Sequence, residues 1–584
     1  MKSLEELMLC RNNLSGSIPK DLGELTKLKI LYLYSNQLSG PIPAEIGKPV
    51  NRSYSSGNRQ LDQWKMKSLV ELMLNKNNLS GPIPKALGDL TELTILYLYE
   101  NQLSGPIPAE IGKMKSLVKL SLQRSNLSGP IPKDLGDVGD LTELTILHLY
   151  ENQLSGAIPA EIGKLVNLVE IDLDTNQLTS HIPPEIGYLI NAKWLYAYSN
   201  ELSGPVPAEI GKMKSLVDLS LHNNNLSGPI PKSLGDLTEL TILYLNANQL
   251  SSPIPLEIGK LSNLVELDLN TNQLTGHIPP ELEVTSLCDL TDFTNLYLYE
   301  NQISGPIPSE IGKLTNLVVV SLGINQLTGH IPLEIGNLIN AKFFYAFEND
   351  LSGPIPAEIG KMKSLETLNL QRNNLSGPIP SELGNLNKLN DLVLSENQFT
   401  GSIPAIFGNL TNLQTLHLHT NKLSGSIPKE LAYLDNLRVL TMTQNQLSGH
   451  LPDQLCQGGK LENFTVASNK LTGPIPRSLS NCSSFKWVRF NNNSFIGNLS
   501  EAFGIYPELQ FIDLSDNNFH GELSSNWGKC ENLIDLRVAR NNISGSIPPE
   551  IGNIQGLLGL DLSSNHLLGQ IPKEFGRLTS LTTD

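Results

Sequence analysis

The stretch Leu168 to Glu185, LVEIDLDTNQLTSHIPPE, restricts what this chain can fold into more than any other feature. It fits L-x-x-L-x-L-x-x-N-x-L-x-G-x-I-P, with Ile171 in the second leucine slot and Ser180 in the glycine slot. The pattern has a twenty-four-residue unit and recurs along almost the whole chain. Its asparagine slot runs from Asn12 to Asn565 through twenty-three copies, and Ser125 is the single departure.

A fixed period between twenty and thirty residues with this leucine spacing predicts a leucine-rich-repeat solenoid, each unit giving one short strand and a return segment. One unit cannot bury its own apolar face, so neighbours must stack and stability grows roughly as a sum along the array. Strand side chains alternate, which turns Leu168, Ile171 and Leu173 inward and leaves Glu170, Asp172 and Asp174 on the open face. The asparagine stands where the chain leaves the strand, and its amide can donate to and accept from backbone groups that the bend leaves unpaired. It therefore reads as a structural ladder.

An unbroken repeat makes residues 1–584 one elongated domain rather than several. The text MKSL at Met1 also opens repeats at Met66, Met114, Met213 and Met362, and the chain stops soon after Leu581, so the expectation is an array truncated at both ends. Residues 49–65, PVNRSYSSGNRQLDQWK, break the leucine pattern and read as a polar loop insertion. Shorter insertions occur around Val138 to Asp140 and within ELEVTSLCDLTDF before Asn301.

The net charge of -16 argues against a nucleic-acid partner, which needs a basic footprint. No run of eighteen apolar residues is present, so this segment does not itself insert into a membrane. The opening MKSLEELMLC lacks the apolar core of a signal peptide. The cysteines Cys10, Cys288, Cys456, Cys482 and Cys530 form no cysteine-rich framework. Cys456 and Cys482 fall in return segments of consecutive repeats and are a candidate disulfide; Cys530, two units on, reads as free.

The exposed strand slots are aromatic in alternate repeats: Tyr32 and Tyr34; Tyr97 and Tyr99; His148 and Tyr150; Trp194, Tyr196 and Tyr198; Tyr244; Tyr297 and Tyr299; and Phe343, Tyr345 and Phe347. Tyrosine and tryptophan give large contact area at low entropic cost, which makes this row the candidate ligand-binding face for an extended peptide lying across the strands. Duplicated repeats would also copy aromatics for stability alone. Sequons stand at Asn13, Asn51, Asn78, Asn126, Asn225, Asn374, Asn409, Asn463, Asn481, Asn492, Asn498 and Asn542, many of them written into the repeat text, and predict some glycans on a secreted chain. His417 and His419 share a strand face, but the adjacent strands offer no strong third ligand, so no metal site is assigned. Asp172 and Asp174 also share a face; an open sheet should leave them solvated and unsplit in pKa, which argues against a glycosidase pair. No cofactor and no catalytic residue is assigned.

The continuation L-x-G-x-I-P, written LSGPIP at Leu103, Leu127, Leu226, Leu351 and Leu375, is the plant variety of the repeat, and the chain resembles the ectodomain of a plant leucine-rich-repeat receptor-like kinase. CQGGKLENFTVASNKLTGPIPRSLSNCSS, IDLSDNNFHGELSSNWGKCENL and NNISGSIPPEIG are especially similar to the male-discoverer-interacting receptor-like kinases. The resemblance implies a right-handed superhelical α/β solenoid of about twenty-three plant-type repeats with a parallel inner sheet. It also implies a cell-surface location, a secreted peptide or protein ligand, a shorter leucine-rich-repeat co-receptor, and signalling in defence or development. The family's kinase is not carried over, because the Gly-rich loop with its lysine, HRD and DFG are missing. Some receptors of this class hold a peptide's terminal carboxylate with two arginines; Arg537 and Arg540 are the candidates here, spaced so that Arg540 falls past the strand. A soluble inhibitor of the polygalacturonase-inhibiting type and a non-functional gene fragment are the alternatives.

Overall fold

The computed structural model describes residues 3–47, 66, 68–137, 141–280 and 292–578. The insertion 49–65 with Asn51, the extra residues 138–140, Cys288 and Leu581 lie outside the described residues. No described helix is long and apolar enough to cross a membrane.

The chain forms two compact units, Met1–Gln302 and Ile303–Asp584. In the first, each repeat contributes a three-residue strand, from Glu6–Met8 to Asn295–Tyr297, paired in parallel with the strand of the next repeat. Equivalent slots face one another, so Ile171 lies between Leu147 and Leu195, and Asp172 between His148 and Tyr196. A second, 11-stranded sheet runs along the L-x-G segments from Ser15–Gly16 to Gln273–Thr275. The second unit repeats this plan: parallel strands from Val319–Ser321 to Gly559–Asp561, and an 11-stranded sheet from Ser304–Gly305 to Asn542–Ser544.

The core lies between these sheets and the return segments. In the repeat that begins at Leu168, Leu168, Ile171, Leu173, Leu178, Ile182 and Ile186 are all buried. The return is a five-residue 3-10 turn such as Ala160–Lys164, entered from Pro159 at φ -67°. Five residues are too few to offset α-helix nucleation. Only three four-residue α-helices occur among the described residues: Asp134–Asp137, Arg477–Ser480 and Leu499–Ala502.

Return segments stack closely enough to exclude a side chain. A Cβ on Gly163 would stand 2.2 Å from the carbonyl oxygen of Glu185 in the next repeat. The glycine of L-x-G is needed for a different reason, since it takes φ near +75°, as at Gly105. Ser180 and Ser252 hold the same slot at φ +69° and +74°.

The asparagines form a hydrogen-bonded ladder. Asn176 Oδ1 accepts from the Leu154 amide at 3.0 Å, while Nδ2 donates to the carbonyls of Leu149, Leu173 and Asp174 at 3.1, 3.1 and 2.9 Å. The preceding residue, Thr175, turns the chain at φ +49°. Ser125 leaves a gap in this ladder, because its buried hydroxyl has no hydrogen-bond partner.

Candidate functional site

The side chains that point away from the leucine core line the open face of the strand sheet. In the first unit, strands bearing large rings alternate with strands bearing short polar groups. Tyr97 and Tyr99 pack edge to face at 5.8 Å, and His148 and Tyr150 at 5.9 Å. Tyr198 stacks flat on His222 at 4.3 Å, and His222 meets Tyr244 at 5.9 Å. Trp194 precedes Tyr196 in its strand, and Tyr297 and Tyr299 carry the last ring-bearing repeat of this unit. The strands between offer Ser121 and Gln123, Asp172 and Asp174, or Ser220, all buried among the neighbouring rings, while His222 breaks the alternation with a half-buried ring of its own.

Carboxylates tie the tyrosines down. Tyr196 Oη donates to Asp218 Oδ2 at 3.0 Å, and Ser220 Oγ donates to the other oxygen at 3.0 Å. Tyr32 donates to Glu71, while Asp174 lies close to Tyr198 and Glu266 close to Tyr244. Burial, reinforced by these carboxylates, raises the pKa of Tyr196, Tyr198 and Tyr244. His148 Nε2 lies 3.0 Å from Glu170 Oε1, and that contact holds the Glu170 pKa below its usual value.

Asp172 and Asp174 correct one sequence expectation. They are only 8% and 5% exposed, because the rings on both flanking strands stand taller than their short side chains. Asp172 Oδ1 accepts from the Asp174 amide at 3.2 Å, and the two carboxyls are within hydrogen-bonding reach of each other. Burial first, and the Asp174 charge second, push the Asp172 pKa up to about 8. Burial likewise raises Asp268 to about 6. An open sheet can thus desolvate a carboxylate when its neighbours are aromatic.

In the second unit, Phe343 and Tyr345 stack with centroids 6.2 Å apart, with Phe347 past the end of the same strand. Arg537 and Arg540 are both committed to carboxylates. Arg537 pairs with Asp535 at 2.7 Å and lies over the Phe511 ring at 5.6 Å; Arg540, beyond the strand, pairs with Asp516 at 2.8 Å. Sequence reasoning missed a flat stack on this face, Trp487 on Phe511 at 4.2 Å and 10°. Its signal is the recurrence of an aromatic at the first strand slot in WVR and FID.

His417 and His419 both bond through Nδ1 to Thr441 Oγ1, at 2.7 and 2.9 Å, and burial lowers both pKa values. No group of metal-ligating side chains occurs among the described residues. Cys456 and Cys482 are joined in a disulfide with Cα atoms 5.9 Å apart, while Cys10 and Cys530 are free thiols. The sequon residues Asn13, Asn78, Asn126, Asn225, Asn374, Asn409, Asn481, Asn492 and Asn542 are exposed. Asn463 is half-buried in a strand, and Asn498 caps the helix Leu499–Ala502 by accepting from the Ser500 amide.

A parallel strand ladder, an asparagine ladder beneath it and an open face rich in rings define a leucine-rich-repeat solenoid. The chain belongs to the leucine-rich-repeat family. The model described as "Leucine-rich repeat region" matches residues 125–252 and 319–490. The one described as "Leucine Rich Repeat" matches 3–25, 27–49, 68–90, 92–114, 263–284, 292–314, 508–530, 532–554 and 556–578. No curated protein sequence matches the chain.

Among solved structures it closely matches plant receptor ectodomains. The PEPR1–AtPEP1 structure is 33% identical with a TM-score of 0.90, covering 99% of this chain and 78% of that one. The plant peptide hormone receptor RGFR1 in complex with RGF2 is 36% identical with a TM-score of 0.84, covering 99% and 93%. The Arabidopsis receptor kinase HAESA, in complex with the peptide hormone IDA and the co-receptor SERK1, is 31% identical with a TM-score of 0.78, covering 98% and 88%.

Proposed function

We propose that this chain is the non-catalytic recognition ectodomain of a plant receptor-like kinase. It works on the extracellular side of the plasma membrane, as a glycoprotein, and binds a secreted peptide along the aromatic open face of its first unit. A shorter leucine-rich-repeat co-receptor completes the signalling complex, in defence or development. Within the class, the male-discoverer-interacting kinases are the proposed subfamily, on the strength of the Cys456–Ser484 text.

The alternation of ring-bearing and short-chain strands carries this reading. Strands in a sheet lie roughly 4.8 Å apart, so ridges on every second strand recur about every 9.6 Å. A polyproline II peptide advances roughly 3.1 Å per residue and brings every third side chain to the same side about every 9.3 Å. Such a peptide, laid across the strands, seats each third residue between successive ridges and spends little entropy on ordering.

The test is to pass extracellular plant fluid over the immobilised full chain and over Tyr196→Ala/Tyr198→Ala, then identify retained peptides by mass spectrometry. A peptide held by the native chain and lost from the variant supports the assignment. Retention that is indifferent to the two tyrosines, or no retained peptide, overturns it.

A further inference from the structure

Two buried amides flank the Tyr97–Tyr99 ridge, and the oxygen of each is unsatisfied. Asn75, Tyr99 and Gln123 hold equivalent slots, two residues before the ladder position, on three neighbouring strands. The backbone keeps them in step past the strand ends, since the Lys76 amide donates to the Tyr99 carbonyl at 2.9 Å and the Glu100 amide to the Gln123 carbonyl at 3.0 Å. Asn75 and Gln123 are only 3% and 6% exposed, and neither Asn75 Oδ1 nor Gln123 Oε1 has a hydrogen-bond partner among the described residues. A buried acceptor without a donor is costly, so each oxygen is a place where a ligand's N–H would be favoured.

The ridge between the two amides is also the untethered one. Tyr32 and Tyr196 donate to Glu71 and Asp218, whereas the hydroxyls of Tyr97 and Tyr99 bond to no described residue. The two rings hold each other only edge to face, at 5.8 Å. Rings without a polar anchor can change rotamer, which opens a way from solvent to the oxygen on either side.

Resting on the peptide-binding reading above, we propose that Asn75 and Gln123 form a two-point clamp for side-chain carboxamides, a pair of ligand glutamines three residues apart that straddle the Tyr97–Tyr99 ridge. The two amides stand two strands apart, roughly 9.6 Å. Three residues of a polyproline II peptide span roughly 9.3 Å, so both glutamines descend in register. Each carboxamide donates an N–H to the orphan oxygen and accepts from a tyrosine hydroxyl through its own oxygen, which satisfies both sides. Serine and threonine hydroxyls are too short to reach below the ring tops. An ionised glutamate brings no donor, and a lysine ammonium would be buried on neutral oxygens with no charge to offset its desolvation.

The probes are acetyl-Pro-Gln-Pro-Pro-Gln-Pro-amide, a twin with methionine at both glutamine positions, which keeps the length without a donor, and a third peptide with lysine there. Calorimetric titration of the full chain with each should show the glutamine peptide preferred over the methionine peptide tenfold or more. Asn75→Leu and Gln123→Met keep the volume and remove the orphan oxygen; each should cut that preference at least threefold without lowering the melting temperature. If either variant does not fold, the order of the three peptides on the native chain decides alone. Equal binding of the glutamine and methionine peptides, or tightest binding of the lysine peptide, overturns the clamp and leaves the peptide-binding face standing. Binding of none of the three also overturns the clamp, while tyrosine-dependent retention of plant peptides decides the broader reading separately.

Discussion

Replacing Ser125 by asparagine should stabilise the first unit, because it repairs the ladder's one gap. At the preceding slot, Asn101 accepts from the Leu79 amide at 3.0 Å and donates to the carbonyls of Leu74 and Leu98 at 3.1 and 2.8 Å. By register, an asparagine at 125 would accept from the Leu103 amide and donate to Leu98 and Leu122. Three buried hydrogen bonds at roughly 0.5–1.5 kcal/mol each, less about 1 kcal/mol for fixing the side chain, leave about 0.5–3.5 kcal/mol. Contacts in a stacked array are local, so the gain should appear in amide exchange near the site rather than uniformly along the chain. At a factor of ten per about 1.4 kcal/mol, exchange at Leu103 should slow by roughly twofold at the low end and roughly three-hundredfold at the high end. Asn101→Ser should produce the opposite change at Leu79. Unaltered exchange at Leu103, or a destabilised Ser125→Asn variant, would refute the view that the asparagines hold the array together through these bonds.

Ser180→Gly and Ser252→Gly should each raise the melting temperature, since both serines hold a left-handed φ that costs a non-glycine residue about 1 kcal/mol. Gly163→Ala should do the reverse by about 1–3 kcal/mol, because the added Cβ meets the Glu185 carbonyl oxygen at 2.2 Å; chemical denaturation measures it. Reducing the Cys456–Cys482 bond, which spans 26 residues, should lower stability by about 2–4 kcal/mol, with the loss of exchange protection confined to repeats around it in the second unit. The Asp172 carboxyl titrates near 8 when folded and near 3.8 when unfolded, so the folded chain binds the extra proton between those values. Stability of the first unit should therefore fall as pH rises from about 4 to 8 and level off above, and Asp172→Asn should flatten that profile in melts across the range.

The repeat made the architecture legible because every slot has one physical job, and twenty-three copies of the text average out local exceptions. Leucine slots, the asparagine ladder and the glycine turn are all local to one or two repeats, so a linear pattern contains them. The open face is harder to read, since the environment of a side chain there depends on two neighbouring strands about twenty-four positions away. Asp172 reads as solvated in its own repeat and becomes buried only beside His148, Tyr150, Tyr196 and Tyr198. Arg537 and Arg540 read as free positive charge until Asp535 and Asp516 are placed against them. Trp487 and Phe511 stand apart in the text but touch across a strand pair.

Site-specific photo-crosslinking tests the functional claim most directly. A benzophenone side chain is placed at Tyr150 on the open face or at Glu161 on the return segment, and the full chain is irradiated with extracellular plant peptides. Peptide adducts formed from position 150 and not from 161 are the predicted result. Adducts from 161 alone, or equal yields from both positions, would contradict recognition on the open face.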